Sequence, residues 1–398
     1  MSALRILHVV PYYEHAWAYG GIPRLATTMT RGLAARGHRV TVCTTDVCDS
    51  RSRLSVTTTR SAIDVRMFRN VSNRLAYNYQ FFTPVGLNRF LRAHARTFDV
   101  AHLHACRNLP GEIAARALKT SSVPYLVSPN GTAPAIERRL IAKQMFDLVA
   151  GQQMLQGAAR ILATSNAERN QLLALGLPAE KIRVLPNPID ESEYQHRFEE
   201  DRFRRTYGLG SQPIVLFLGK LTPRKGVDVL LRAFHSIAGP PQLVIAGNDM
   251  GAGARVHQLI AELNLDHRVT RTGLLQGAER LDALAAATVV VYPSRDEVFG
   301  LVAVEALMCG SPVVVCNDSG CGEIIAEVGG GLRVPYGDAV QLAAAIRSVL
   351  DSPDPWRVRA QAASGLVRER FGSTHVCAQL EALYQEVLLE SSPRSGAA

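Results

Sequence analysis

Two glutamates, Glu297 and Glu305, carry the clearest chemical consequence in this sequence. Glu305 is the only charge in 301–309, and the four positions on each side of it are apolar. It therefore has no polar face to turn towards. A carboxylate stripped of water costs several kcal/mol, so it needs a cation from elsewhere in the chain or a ligand with hydroxyl donors. Glu297 precedes this stretch, on the loop that feeds the helix N-terminus. Unpaired N–H groups and the helix dipole favour anions such as phosphate there. A phosphate seat, a hydroxyl-binding acid and a second acid on the approach together suit a sugar nucleotide.

Two other clusters can join this chemistry. Gly219-Lys220-Leu221-Thr222-Pro223-Arg224-Lys225-Gly226 places three cations between an apolar strand and a helix. The strand–loop–helix context favours a ligand loop over a solvated basic turn, although Arg224 fits such a turn best. His102 and His104 alternate onto one side of a strand near its C-terminal end, where open α/β sheets bind ligands. A metal pair there lacks a third ligand nearby, so none is assigned.

The elements that position these residues follow from periodicity. Apolar runs at 4–10, 39–43, 63–68, 98–104, 124–127, 160–163, 213–218, 243–246, 288–292 and 312–316 read as buried strands. Helices are expected at 24–36, 84–97, about 135–157, 166–175, 301–309, 338–350, 354–370 and 374–390, and another starts at Gly320. Strand, glycine loop, helix and strand repeat, which is the building block of a parallel α/β sheet. Residues 49–83 read as irregular apart from 63–68, and the charged stretch 191–207 reads as a linker. The expected division is a first domain at 1–195, a second at 196–375, and a crossover helix with tail at 376–398.

Glu297 and Glu305, with Phe299-Gly300-Leu301 between them and Gly310-Ser311-Pro312 after, resemble the E-x7-E signature. That signature marks retaining GT-B glycosyltransferases of the glycogen-synthase-like group, especially glycosyltransferase family 4. Three further stretches support the resemblance. The 219–226 loop is similar to the family's G-[RK]-L-x3-K-G, with Lys220 where Arg is common; Leu185-Pro186-Asn187-Pro188-Ile189-Asp190 is similar to P-N-G-[VI]-D, with Pro188 in place of glycine; and 320–325 is similar to G-G-x-x-E-I-I. The resemblance covers nearly the whole chain.

What the resemblance implies is a two-Rossmann-domain transferase whose domains face a cleft, the last helix returning to the first domain. Lys220 and Lys225 would hold the donor diphosphate, with the amides near Gly300, Leu301 and Val302. Glu305 would bind the ribose hydroxyls, and Glu297 would contact the sugar and stabilise oxocarbenium character at C1. Gly247 belongs to a strand–glycine turn, and Leu274 to the segment whose backbone meets the nucleobase edge. Gly20 and Gly21 would open a helix near the donor phosphates, with a simple tight turn as the alternative. His104 matches the strand-end histidine that approaches the transferred sugar, while His102 reads as structural. Asn130 matches an acceptor-side loop, with a plain Asn-Gly turn as the alternative. Retention in this family is thought to proceed by front-face attack, so two-carboxylate hydrolase logic does not transfer.

Composition sets the outer bounds. The 398 residues are 47% hydrophobic and 20% charged, enough for two domains with real cores. No run of about 18 apolar residues occurs, and the N-terminal apolar run is too short for a signal peptide. Seven scattered cysteines without metal spacing suggest reduced thiols, although Cys43 and Cys48 could pair. A cytoplasmic enzyme is expected, at or near the inner face of the cell membrane. No Asp-x-Asp pair occurs, so neither a bridging metal nor another cofactor is expected. The net charge of +9 is uneven: residues 1–195 hold 24 Lys and Arg against 13 acids, the remainder 20 against 22.

Arg89, Arg92 and Arg96 recur at helical spacing beside the aromatic tip Tyr77–Phe82. The stripe suits an anionic membrane surface and a lipid-linked or glycan acceptor, or it is only a solvated face over a core Phe81-Phe82. Two other classes compete with the transferase: a nucleotide-sugar epimerase of the same fold, and a nucleic-acid binder suggested only by the basic half.

Overall fold

The computed structural model describes residues 3–55, 59–60, 62–134, 153–195 and 197–391. The chain forms two compact units, one from 1–188 with 373–398 and the other from 189–372. The boundaries read from the sequence were 195 and 375.

The first unit holds an eight-stranded sheet: β1 Arg5–Val9, β2 Arg39–Thr45, β3 Thr59–Arg60, β4 Ile63–Phe68, β5 Val100–His104, β6 Tyr125–Ser128, β7 Arg160–Ala163 and β8 Ile182–Val184. Their order is β3-β4-β2-β1-β5-β6-β7-β8, parallel except for the short edge strand β3. The chain winds one way from β1 through β2 and the other way from β5, so the winding reverses between β1 and β5. Ligands of open α/β sheets bind beyond the strand ends at such a point.

The helix Ser373–Ser391 belongs to this unit. Val376, Leu380, Tyr384 and Val387 enter the core under the first helix, Gly21–Ala35. Arg36 Nε lies 2.6 Å from Glu381, and Arg160 reaches Glu386 at 2.6 Å and Glu390 at 2.5 Å. Part of the basic excess of the N-terminal half is thus answered by the acidic face of the last helix.

The second unit holds a six-stranded, fully parallel sheet: β9 Ile214–Leu218, β10 Gln242–Ala246, β11 Val269–Gly273, β12 Val289–Tyr292, β13 Val313–Cys316 and β14 Gly331–Val334. Its order is β11-β10-β9-β12-β13-β14, with the winding reversal between β9 and β12. The central strands are continuous apolar runs because helices cover both faces.

Three sequence expectations are corrected. Residues 191–207 are not a linker: they form the turn Glu191–Tyr194 and the helix Glu200–Tyr207, because Tyr194 and Phe203 bury into the second core. The helix Asn73–Tyr79 lies inside the stretch read as irregular, capped by Ser72 Oγ accepting from Leu75 N–H at 3.3 Å. The helix Leu109–Thr120 lies in a stretch with no expected element, although Asn108 followed by Pro110 is a helix-start signal. The helix expected at about 135–157 falls mostly outside the described residues; Gln153–Gln156 is helical. All seven cysteines are free thiols, so Cys43 and Cys48 are not paired.

Candidate active site

In the second unit, the loops after β9 and β12 meet at the winding reversal. Backbone and side chain tie them together: Arg295 N–H donates to Arg224 O at 2.9 Å, and Arg224 Nη1 to Asp296 O at 3.3 Å. Arg224 is therefore not a solvated turn residue, because it folds over the Glu297 segment.

The tie brings Lys225 onto Glu297. Lys225 Nζ donates to Glu297 Oε2 and to the Tyr292 hydroxyl, and both members of the ion pair are buried or nearly so. Tyr292 Oη and Ser294 Oγ donate to the same carboxylate oxygen at 3.1 and 3.2 Å. The glutamate's backbone is anchored as well, its carbonyl accepting from Cys321 N–H at 3.3 Å.

Electrostatics fix the charge state of the pair. Burial pushes the Glu297 carboxyl up, but the charges of Lys225 and Arg224 outweigh it and hold the group at about 2. Burial, then the Glu297 charge, pushes Tyr292 well above its ordinary range and keeps its hydroxyl a donor. Burial lowers Lys225, opposed by Glu297. Glu297 is consequently an anion at neutral pH and no general acid.

Gly300 caps the helix Leu301–Met308 in the left-handed region at φ 77°. An added Cβ would overlap Cys321 Sγ, so both conformation and space require glycine. No side chain caps this end, and Leu301 and Val302 are its first two helical residues. Their amides are therefore the free donor end of the helix, where the dipole favours negative charge.

Glu305, on the same helix, is buried and does face a cation. Arg280, from the helix Gly277–Ala286, puts Nη1 2.5 Å from Glu305 Oε2, as an ion pair rather than an aligned hydrogen bond. Arg280 Nη2 also donates to Glu193 at 2.8 Å. Burial opposes the Arg280 charge, and Glu305, Tyr194 and Glu193 restore it. Of the two ways of balancing Glu305, the structure shows the protein cation. Sequence reading missed Arg280 because nothing in its spacing links it to Glu305.

Gly247 follows β10 and presses against Gly219, which follows β9. An added Cβ at Gly247 would overlap the Gly219 carbonyl oxygen. Gly247→Ala is expected to cost about 1–3 kcal/mol in urea unfolding, as overpacking does, and to displace the Lys220 loop. An unchanged midpoint would show that the two loops separate freely. Lys220 is half-buried in that loop, and Leu274 is exposed just after β11.

In the first unit, Gly20 at φ 97° precedes the helix that Gly21 opens. His104 ends β5 and is fully buried, with burial pushing it down to about 3. Its Nε2 lies 2.9 Å from His8 Nδ1 on β1. His102 bonds Tyr384 Oη at 2.8 Å and Ser128 Oγ at 2.7 Å, a structural role for both ring nitrogens. The third histidine that the sequence seemed to lack is thus His8, which sheet register places beside His102. The His102 and His104 rings stack at 4.4 Å with planes only 5° apart, so their in-plane lone pairs do not converge on one ion. Asn130, at φ 52°, donates from Nδ2 to Ser128 O at 3.1 Å, and its Oδ1 is buried without a partner among the described residues. Glu168 holds the same turn by accepting from Gly131 N–H at 2.6 Å.

Two Rossmann-like parallel-sheet units, each with its polar cluster at the winding reversal, define a GT-B fold. Residues 19–193 match the family described as Glycosyltransferase Family 4, and residues 199–364 match Glycosyl transferases group 1. The chain is 30% identical over 325 residues to a D-inositol 3-phosphate glycosyltransferase of Stackebrandtia nassauensis, covering 76% of this chain and 72% of the relative. A relative of the same name from Mycolicibacterium smegmatis is 30% identical, covering 75% and 69%. Among solved structures, Anabaena Alr3699/HepE in complex with UDP and glucose superposes with a TM-score of 0.77 at 20% identity, covering 96% of this chain and all of that one. Sucrose-phosphate synthase from Thermosynechococcus elongatus gives 0.77 at 24% identity, covering 97% and 100%. This chain belongs to the GT-B glycosyltransferases.

Proposed function

We propose that this enzyme moves a hexose-type sugar from a nucleotide-diphosphate sugar to a glycan or lipid-linked acceptor with retention at C1. The observation that carries the reading is the buried Lys225–Glu297 pair at the β9/β12 reversal. A carboxylate kept ionised suits a sugar that gains positive charge, and a lysine beside it suits a departing diphosphate. Lys220 and the Leu301 and Val302 amides complete the phosphate seat, and Glu305 takes the ribose. The leaving phosphate accepts the acceptor proton, so no protein nucleophile is required. The lysines, with Arg224, supply the charge that a metal would otherwise bring.

UDP-sugars head the donor panel, since the Anabaena neighbour is held with UDP. Nucleoside diphosphate should appear only when acceptor is present, and activity should survive a chelator. An epimerised donor without acceptor would overturn the transferase reading. A product with inverted anomeric configuration would overturn retention.

The acceptor is proposed to lie at an anionic membrane on the cytoplasmic side. Arg89, Arg92 and Arg96 are all exposed on Leu87–His94 and the turn after it. Phe82 is buried, but Val71, Leu75, Tyr79, Phe81 and Val85 are exposed nearby in sequence. Among the described residues no helix is long and apolar enough to cross a membrane. Each cation near an anionic surface contributes about 1 kcal/mol. The protein is expected to sediment with phosphatidylserine vesicles at low salt and to be released as salt rises. Replacing the three arginines by glutamine should abolish sedimentation. Wild-type protein left in the supernatant at low salt would make the acceptor soluble, and inositol 3-phosphate is then the first to assay.

A further inference from the structure

The histidine cluster of the first unit contains an unsatisfied group with a defined direction. His8 Nδ1 and His104 Nε2 are 2.9 Å apart, while His8 Nε2 and His104 Nδ1 are both buried without a hydrogen-bond partner among the described residues. Burial drives both rings far below their ordinary range, so both are neutral and share a single bridging proton. Two arrangements exist. Either His8 donates and His104 exposes Nδ1–H, or His104 donates and exposes a bare Nδ1.

Burial costs the same in both, since each leaves one N–H and one lone pair without a partner, so position in the fold chooses between them. The orphaned N–H is less costly where a bound ligand can accept from it. His8 sits inside β1, flanked in register by Val42 and His102, and its Nε2 stays unsatisfied in either arrangement. The cheaper occupant of that position is a lone pair. His8 then donates from Nδ1, His104 accepts at Nε2, and the remaining proton lies on His104 Nδ1.

His104 is also placed to use that proton. It is the last residue of β5, at the β1/β5 winding reversal. The loop beyond it holds Ala105 at φ 61° and Arg107 at φ 51°, two left-handed residues that are not glycine. Asn108 fixes that loop by donating to His104 O at 3.3 Å and Ala105 O at 3.0 Å. Such strain persists only where surrounding contacts impose it, typically beside ligands. The unpartnered Oδ1 of Asn130 lies just past the end of the adjoining strand β6.

We infer that His8 is a positioning residue: it locks His104 in the tautomer that presents Nδ1–H to an oxygen of a substrate bound at the β1/β5 reversal of this unit. This rests on the reading of His104 as a substrate contact. His102, with both nitrogens bonded elsewhere, packs against the pair and keeps the ring planes fixed.

Asparagine places an amide nitrogen near the position of imidazole Nδ1, whereas glutamine places it near Nε2. His8→Asn should therefore retain kcat within a few-fold, while His8→Gln and His8→Leu lower it about 10–100-fold, the scale of removing the partner that orients an imidazole. The donor KM should change less than kcat. Long-range 1H–15N spectra of the wild-type enzyme should show His104 protonated at Nδ1, with or without UDP. Equal losses in the asparagine and leucine variants would overturn the inference, as would a proton on Nε2. If the variants fail to fold, the wild-type spectrum decides alone. His104→Ala separates the two layers: full activity there sinks the substrate-contact reading, whereas a dead His104→Ala beside a fully active His8→Leu sinks only the role of His8.

Discussion

Replacing Glu297 by glutamine is expected to lower kcat about 10²–10³-fold, the scale of removing one preorganised group aimed at transition-state charge. Glutamine keeps the shape and most hydrogen-bonding capacity, so the loss reports the negative charge. Lys225→Met should lower kcat and kcat/KM together, because leaving-group charge grows in the transition state, and it should do so more than Lys220→Met. A rise in KM alone would make Lys225 a ground-state holder. Combining Glu297→Gln with Lys225→Met removes both buried charges, so stability should recover while activity does not. Recovery of activity would make the pair a structural device. The pair also sets a pH dependence. Glu297 is held at about 2 against an ordinary 4.5, a depressed carboxylate whose stabilisation is complete above pH 4.5 and lost as pH falls towards 2. That shift corresponds to at most about 3.5 kcal/mol, part of which the burial of Lys225 takes back. The Tm difference between wild type and Glu297→Gln should thus be full at pH 7 and shrink between pH 4.5 and 3. A difference that grows on acidification would contradict the ionised assignment.

The chemistry most legible in the sequence is the chemistry that depends on neighbours along the chain. Glu297, Gly300 and Glu305 share one loop and helix, and Lys220 and Lys225 share another loop, so their types and spacing single them out as candidates. What spacing could not show is which loops meet. The Lys225–Glu297 pair exists because β9 and β12 are adjacent in the sheet, an order that a list of strands leaves open. His8 looked like any residue of a first strand until register set it beside His102. The linker reading of 191–207 failed for a related reason. Its charges sit on the exposed faces of a turn and a helix, while the few apolar residues that matter, Tyr194 and Phe203, are too sparse to give a period. Asn108 and Pro110 mark a helix start through local capping chemistry that apolar periodicity does not reveal.

Arg280→Met is expected to produce the largest loss of stability of any single change considered. Arg280 and Glu305 are both buried, and Glu193 is the outer, half-exposed member of the chain of charges. Removing the arginine strands Glu305 among Ala303, Val304, Ala306 and Leu307 without its cation. Breaking a buried pair from one side costs about 3–5 kcal/mol. Glu305→Gln should cost less, because Arg280 keeps Glu193 and Tyr194. Replacing both Arg280 and Glu305 by methionine removes the desolvation penalty along with the attraction, so urea unfolding should find much of the lost stability restored. Nucleotide binding separates the two uses of Glu305. If its carboxylate accepts from the ribose, Glu305→Gln weakens nucleoside diphosphate binding by roughly 1.5–3 kcal/mol in calorimetry, and the double methionine variant stays weak although it is stable. If both variants bind as wild type, the carboxylate serves only to neutralise Arg280, and the ribose is held by other groups of the β9/β12 site.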